Sequence, residues 1–345
     1  MALGTFFHMP TGAEWRQQRR SVAPVFSLPT ATSYALELAA ELPTTLESEE
    51  GPVDAQQLMH DLLRDTMFVT GLGRLPTTEE KAAFQELATL SEAPTDSVTD
   101  EALEAAVVCT IRVLSNSVDE FAQHRPKERT FMAGLMLDAG HDSEAIARAL
   151  HNLIVAGAES NAASLARTLA CIAEDPSIQQ KLVEELQTVL DGNAPSTPKD
   201  LSSLTYLDAV VREGLRRFAP ATVVVRCFAE PTVLHNGAVV QAGQRLAVCI
   251  PAVHMNEEHW PEPQRFHPSR FVGSTPAPNT YLPFSLGKRA CPGKNMAILQ
   301  AKAVIATLLS DMRIERAPDA SSLDDHVPRF SGWGNEGVPI VFRRR

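Results

Sequence analysis

Along roughly the first two thirds of the chain, apolar residues recur at intervals of three and four positions, the spacing of one face of a helix. Proline and glycine interrupt this pattern, for example at Pro43, at Gly51-Pro52 and at Pro94. The pattern predicts helices over residues 12–23, 31–42, 54–69, 78–90 and 101–121.

A longer helix is predicted over residues 143–174. Ser143 is a suitable N-cap, and Pro176 follows the end of the segment. Such a helix is roughly 48 Å long at 1.5 Å per residue. Its middle, residues 153–158, is almost entirely small or apolar, so we expect it to cross the interior of the molecule rather than lie on its surface.

The pattern changes after two further helices, predicted over residues 177–190 and 204–218. β-branched and apolar residues then predict strands over 222–228, 232–234, 239–240 and 245–250, with a hairpin turn at residues 235–237. Residues 251–283 are proline-rich and read as an irregular segment. A helix over 292–310 and a strand over 338–342 complete the chain. The economical interpretation is one mixed domain over residues 1–345, mainly helical with a small sheet.

Charge and cysteine content exclude several classes of protein. Acidic side chains number 42 and basic ones 31, a formal charge of −11, which argues against a general nucleic-acid binder. The five cysteines are far apart and form no C-x-x-C pair, so neither a disulfide scaffold nor a structural zinc site is expected. No signal peptide or long apolar run is present, and the chain as written is expected to be soluble and cytoplasmic.

Cys291 is the cysteine whose surroundings suggest chemistry. Pro292 suits the first position of a helix, where the helix dipole and free N–H groups would favour a thiolate. Gly287 and Gly293 would let the backbone approach a flat, bulky group, and Arg289 could pair with a carboxylate. A lone cysteine is usually a small buried apolar residue, but this combination favours a ligand.

The run from 284 to 293, F-S-L-G-K-R-A-C-P-G, resembles the haem-binding loop F-x-x-G-x-R-x-C-x-G of cytochromes P450. Its defining positions are occupied by Phe284, Gly287, Arg289, Cys291 and Gly293. The resemblance implies the cytochrome P450 fold, with a long central helix over haem b (iron protoporphyrin IX). It also implies that the Cys291 thiolate is the axial ligand of the iron, which favours O–O cleavage.

Two charged motifs extend the resemblance. Glu213 and Arg216 form an E-x-x-R pair, whose members face one side of a helix. Residues 266–271, F-H-P-S-R-F, are similar to the family's F-x-P-E-R-F, with Ser269 in place of glutamate. The resemblance implies that Glu213, Arg216 and Arg270 form a buried network that locks the cysteine loop in place.

In the long helix, residues 156–160 read A-G-A-E-S and resemble the family's oxygen-activation motif. The resemblance implies that Gly157 opens the helix wall over the iron and that Glu159 and Ser160 relay protons to dioxygen. Ser160 stands where threonine is usual and keeps the hydroxyl. Close helix packing is the alternative explanation for the small residues.

Trp15 and Arg19 match the family's W-x-x-x-R pattern, which implies contact with a haem propionate. Arg226 and Arg289 match two further propionate-pairing positions. His254 lies in a run that also resembles the family, but an ordinary hydrogen-bonded histidine is expected there.

The resemblance covers essentially the whole chain and looks closest to the eukaryotic-style branch. Family members carry a sizeable region before the Trp15 helix, so we expect an incomplete domain that lacks N-terminal strands and helices. Any membrane anchor would belong to that region, and the parent protein could then be associated with the endoplasmic reticulum or another organelle.

The resemblance implies a haem-thiolate monooxygenase. It would insert one oxygen atom from O2 into a small apolar substrate, with electrons from NAD(P)H through a flavoprotein reductase or a ferredoxin. Lys288, Arg289 and Lys294 could form a docking patch for that partner. The alternatives are a peroxide-using or isomerising haem-thiolate enzyme, or an inactive, truncated, haem-free remnant.

Overall fold

The computed structural model describes residues 11–46, 51–92, 98–126, 129–326 and 337–345. The expectation of a mainly helical fold with a small β portion is confirmed. In chain order the helices are α1 (Ala13–Val22), α2 (Leu28–Leu46), α3 (Ala55–Leu72), α4 (Thr78–Glu92), α5 (Asp100–Gln123), α6 (Met132–Asp138), α7 (Ser143–Glu174), α8 (Pro176–Leu190), α9 (Pro198–Ser203), α10 (Thr205–Arg217), α11 (Ile250–His254) and α12 (Lys294–Asp311).

Seven short strands form three small antiparallel sheets among the described residues. They are β1 (Val53–Asp54), β2 (Val223–Cys227), β3 (Thr232–Val233), β4 (Val239–Val240), β5 (Arg245–Cys249), β6 (Met312–Arg316) and β7 (Pro339–Arg344). Their order is β1-β7-β6, β2-β5 and β3-β4. In the β2–β5 ribbon, Val223 pairs with Cys249 and Cys227 with Arg245.

The predicted elements are present with small shifts of their ends, but five others were missed, among them the two-residue strand β1. The short helices α6 and α9 were not predicted, nor was α11, which begins the segment expected to be irregular. Strand β6 was missed because it follows α12 directly, with no turn residue between them. The break expected at Pro43 was also wrong, since α2 continues through it to Leu46.

Helix α7 has the predicted bounds and crosses the interior, where it contacts α3, α5, α10 and α12. The predicted cap was wrong by one residue: Asp142 is the N-cap, and its carboxylate accepts a hydrogen bond from the Ala145 N–H at 2.8 Å. From Asn161 to Ile172 every residue of α7 is buried. Burial on all sides explains why its sequence shows small and apolar residues rather than a polar face.

Two apolar clusters meet along α7. Its N-terminal half packs with residues of α1, α3, α5 and α6, and its C-terminal half with residues of α3, α10, α12 and the β6–β7 sheet. The two clusters meet near residue 157, where α7 faces a cavity that is also lined by Cys291 and is called the main cavity. Among the helices described, none combines the length and apolar character required to cross a bilayer.

Gly214 allows α10 to pass very close to α7. A Cβ at this position would stand 3.0 Å from Thr168 Cβ and 3.1 Å from its Cγ2, with Thr168 Oγ1 closer still. Because both branches of the threonine are near, rotation of its side chain would not relieve the clash.

We therefore expect Gly214→Ala to lower the free energy of unfolding by about 1–3 kcal/mol through overpacking. Urea denaturation measures the change. The double variant Gly214→Ala/Thr168→Ala should recover part of the loss, whereas simple addition of the two single effects would contradict a direct clash.

Candidate functional site

A cavity of about 310 Å³ lies between α7 and the loop that carries Cys291. Most of its wall is apolar, with side chains such as Phe26, Met67 and Val224. Gly157 and Ser160 of α7 line one side, and Cys291, Pro292 and Gly293 line another. The predicted thiol ligand thus shares one cavity with Gly157 and Ser160, two of the predicted oxygen-activation residues.

Three backbone hydrogen bonds shape the Cys291 loop. The Cys291 N–H donates to the Phe284 carbonyl at 2.9 Å, the Ala290 N–H to Gly287 at 3.0 Å, and the Ser285 N–H to Leu282 at 3.0 Å. Gly287 has φ +76°, a left-handed conformation that favours glycine. The requirement for Gly287 is therefore conformational, since no atom lies within 4 Å of where its Cβ would be.

The prediction that Pro292 begins the following helix was wrong, because α12 begins at Lys294. Burial raises the pKa of the Cys291 thiol, while the N–H groups of Gly293 and Lys294 and the charge of Arg19 act in the opposite direction. The thiol is accessible through the cavity but otherwise surrounded by protein. A cation bound beside the thiol would offset this burial and favour the thiolate.

Guanidinium groups from three separate elements converge on the rim of the cavity. Arg289 lies over the Trp15 ring at 4.7 Å from its centroid, and Arg19 lies at 5.7 Å from the same ring. Arg19 donates to the Ala290 carbonyl at 2.7 Å, next to Cys291. Arg226, on β2, donates to Ser285 Oγ at 2.8 Å.

The rim has the character of a site for a dianionic group. Burial lowers the pKa of Arg289, and the charges of Arg226 and Arg19 lower it further. Trp15 Nε1 is buried and has no hydrogen-bond acceptor among the described residues. Grouped cations and an unsatisfied donor are stabilised by carboxylates, so these residues fit the propionates of a haem.

The two predicted relay residues lie on different sides of α7. Ser160 lines the main cavity, and its hydroxyl donates to the Ala156 carbonyl at 2.6 Å. Glu159 instead lines a smaller cavity with His60 and Arg64 of α3. The structure therefore brings Ser160, but not Glu159, to the cavity that contains Cys291.

The predicted charge network is assembled around a fully buried carboxylate. Glu213 accepts two hydrogen bonds from Arg216, at 2.8 and 2.9 Å, and one from Arg270 at 3.2 Å. The His267 N–H donates to the same carboxylate at 2.8 Å. Arg216 also donates to the carbonyl of His254 at 2.9 Å. Each polar group of the network is thus engaged, as burial of charge requires.

His254 connects this network to the cysteine loop. Its Nδ1 donates to the Arg216 carbonyl at 3.0 Å, and its Nε2 accepts from the Leu282 N–H at 2.7 Å. The imidazole is fully buried and stacks on Tyr281 with centroids 5.6 Å apart. This neutral tautomer therefore bridges α10 and the segment that leads into the loop.

Comparison with known proteins identifies the family. The cytochrome P450 family model matches residues 2–328. The chain belongs to the cytochrome P450 family. Members of this family carry haem, and membership of the family, with relatives named as monooxygenase and hydroxylase, makes the chain an oxidoreductase.

The relatives of this P450 include bacterial and animal enzymes. Cyclooctat-9-en-7-ol 5-monooxygenase of Streptomyces melanosporofaciens is 27% identical, over 92% of this chain and 74% of that protein. Taurochenodeoxycholic 6 alpha-hydroxylase of Sus scrofa is 34% identical, over 55% of this chain and 38% of that protein. The haem domain of cytochrome P450DA has a TM-score of 0.86 at 22% identity, covering 100% of this chain and 81% of that one.

Several site residues of this P450 were missed from the sequence. Met67, Met296 and Gln300 line the cavity, but their spacing resembles that of ordinary core residues. Gln300 accepts a hydrogen bond from Asn161 at 3.0 Å and thereby links α12 to α7. Alternation along β2 could have identified Val224, which shares a strand face with Arg226.

Removal of the Glu213 carboxylate should strongly destabilise the folded protein. We expect Glu213→Ala to lower the free energy of unfolding by about 3–5 kcal/mol, because it leaves the Arg216 charge buried without its partner. Urea denaturation of the purified P450 measures this loss. Glu144→Ala is the control, since the Glu144–Arg148 pair is solvent-exposed and should contribute little. Equal effects of the two substitutions would contradict the structural role of Glu213.

His254 should make stability depend on pH. Burial lowers the pKa of His254 from 6.5 to about 4; the Arg216 charge acts in the same direction, and the hydrogen bond to the Arg216 carbonyl opposes both. Between these values the unfolded chain binds a proton that the folded chain does not, so stability is retained above pH 6.5 and falls as pH decreases toward 4.

The expected loss on going from pH 7.5 to pH 5 is about 2 kcal/mol from this group. The measurement is urea unfolding of wild type and His254→Gln at both pH values, with the difference between the proteins isolating the imidazole. Identical pH dependence in the two proteins would show that His254 does not contribute.

Proposed function

We propose that this P450 is a haem-thiolate monooxygenase. It inserts one oxygen atom from O2 into a small apolar substrate and takes its electrons from NAD(P)H through a redox partner. The observation that carries the proposal is the shared cavity, in which the Cys291 thiol and the α7 residues Gly157 and Ser160 line an otherwise apolar space. The monooxygenase and hydroxylase names of relatives support the same reaction class.

The cofactor-binding residues have distinct roles in this proposal. Cys291 would supply the thiolate that binds the haem iron, and the N–H groups of Gly293 and Lys294 would stabilise its charge. Arg19, Arg226 and Arg289 would hold the propionates of haem b, and the Trp15 indole would donate an additional hydrogen bond. When bound, the haem supplies the activation of O2.

The residues of the cavity wall affect substrate binding, water access and proton donation. Its apolar lining favours an apolar substrate and excludes bulk water. The Ser160 hydroxyl, which now donates to the Ala156 carbonyl, can rotate to donate a proton into the cavity. Glu159 lines a separate cavity on a neighbouring side of α7, so of the two residues Ser160 is the one that can donate into the main cavity.

Electrons arrive at the face of the protein behind the Cys291 loop. Lys288 and Lys294 are exposed there, and Arg289 is partly exposed. This basic patch favours an acidic docking surface on a flavoprotein reductase or a ferredoxin, despite the negative net charge of the chain.

The decisive experiment is the reduced, carbon-monoxide-bound absorption spectrum of wild type beside Cys291→Ser. A red-shifted thiolate band should be present in wild type and absent from the variant. Cys109→Ser is the control for loss of a thiol, because Cys109 lies on α5 and does not line the cavity. The same spectrum for wild type and Cys291→Ser would overturn the ligand assignment.

Turnover assays then distinguish monooxygenation from a peroxide-using reaction. Product formation that requires NAD(P)H and a reductase supports monooxygenation, whereas turnover with peroxide alone would support a peroxide-using enzyme. A purified protein without a Soret band, even after haem reconstitution, would refute the proposal.

A further inference from the structure

Met67, on α3, fills the notch that Gly157 leaves in the wall of α7. A Cβ at residue 157 would stand 2.5 Å from Met67 Sδ and 3.0 Å from its Cγ. Met67 is only 2% exposed, and it lines the main cavity together with Gly157 and Ser160. The thioether therefore fills the space that a side chain at residue 157 would have occupied.

A second cavity, of about 20 Å³, lies on the neighbouring side of α7. His60, Arg64 and Glu159 provide its polar groups, and apolar side chains such as Phe84 and Ala158 provide the remainder. About 10–15 Å³ of such volume is enough for one water molecule when several polar partners are present. This compartment, called the Glu159 cavity below, therefore has the size and chemistry of a water site.

One face of α3 runs past both cavities. His60, Arg64 and Met67 are spaced by four and three positions, so they lie on the same face of the helix. Arg64, which lines the Glu159 cavity, is held by ion pairs with Asp61, at 2.6 Å, and Asp65, at 3.1 Å. One turn further along, the polar face gives way to the Met67 thioether and the apolar cavity begins.

We propose that Met67 is the barrier between the Glu159 cavity and the main cavity, and that it controls the entry of water beside Ser160. Methionine suits this position because its unbranched, flexible side chain fills an irregular gap and can move to another rotamer. Displacement of the thioether would join the two cavities through the Gly157 notch.

The catalytic consequence rests on the proposed monooxygenase function. Extra water at Ser160 would supply protons without selectivity, a side reaction that a closed site prevents. In that reaction NAD(P)H, one proton and O2 give NAD(P)⁺ and H2O2, with no oxygenated product. Met67 would then determine how much of the consumed NAD(P)H appears as product.

The test compares Met67→Ala with two matched variants. Met67→Leu keeps most of the side-chain volume. Met59→Ala removes a methionine that is 1% exposed on the same helix but lines neither cavity. Hydrogen exchange of the α7 amides around residues 156–161 reports water access without any turnover.

We expect the exchange rate of these amides to increase about tenfold in Met67→Ala, because the equilibrium constant for local opening of α7 should increase by the same factor. Met67→Leu and Met59→Ala should exchange as wild type does in this segment. In reductase-coupled assays, the ratio of H2O2 to product should rise several-fold for Met67→Ala alone. Equal exchange in Met67→Ala and Met59→Ala would overturn the barrier.

The two proposals fail in different ways. A wild-type protein without the thiolate band or NAD(P)H-dependent turnover would refute the proposed function, and the exchange data would still decide whether Met67 is a water barrier. A wild-type protein that turns over, together with unchanged exchange and unchanged peroxide in Met67→Ala, would refute the role of Met67 alone.

Discussion

The position of the cysteine loop depends on one buried carboxylate. Glu213 receives hydrogen bonds from Arg216, Arg270 and the His267 N–H, so the ion pair is satisfied without water. From Arg216 the connection continues through His254 to the Leu282 N–H, two residues before the loop. A charge at the centre of the molecule thus fixes a backbone segment near the cofactor site, because an uncompensated ion in that environment would be far more costly.

The features predicted best from the sequence are those whose chemistry requires particular residues at fixed spacing. Cys291, with its glycines and Arg289, could be found because a thiolate loop requires those residue types at those positions. The same holds for α7, whose bounds follow from a long small-residue helix between Ser143 and the proline at 176. The Glu213–Arg216 pair could be predicted because residues three apart share a helix face.

Contacts between distant segments could not be predicted in this way. The bridge from His254 to Leu282 spans 28 positions, and nothing in either residue distinguishes it from an ordinary buried contact. Met67 has the spacing of a core residue, and its importance appears only when α3 packs on Gly157. Glu159 was paired with Ser160 through the resemblance of residues 156–160 to the family's motif, but successive residues of a helix point in directions about 100° apart.

The three arginines on the rim of the cavity come from α1, β2 and the loop before α12, and Arg19 and Ala290 are separated by 271 positions. A dianionic ligand bound there would link segments that are far apart along the chain. Thermodynamic linkage then requires that ligand binding and folding reinforce each other, with a gain of about 2.7 kcal/mol when free ligand is at 100 times its Kd. Cofactor supply would therefore set the lifetime of the protein in the cell as well as its activity, and chains that remain unloaded would be the first removed by proteolysis.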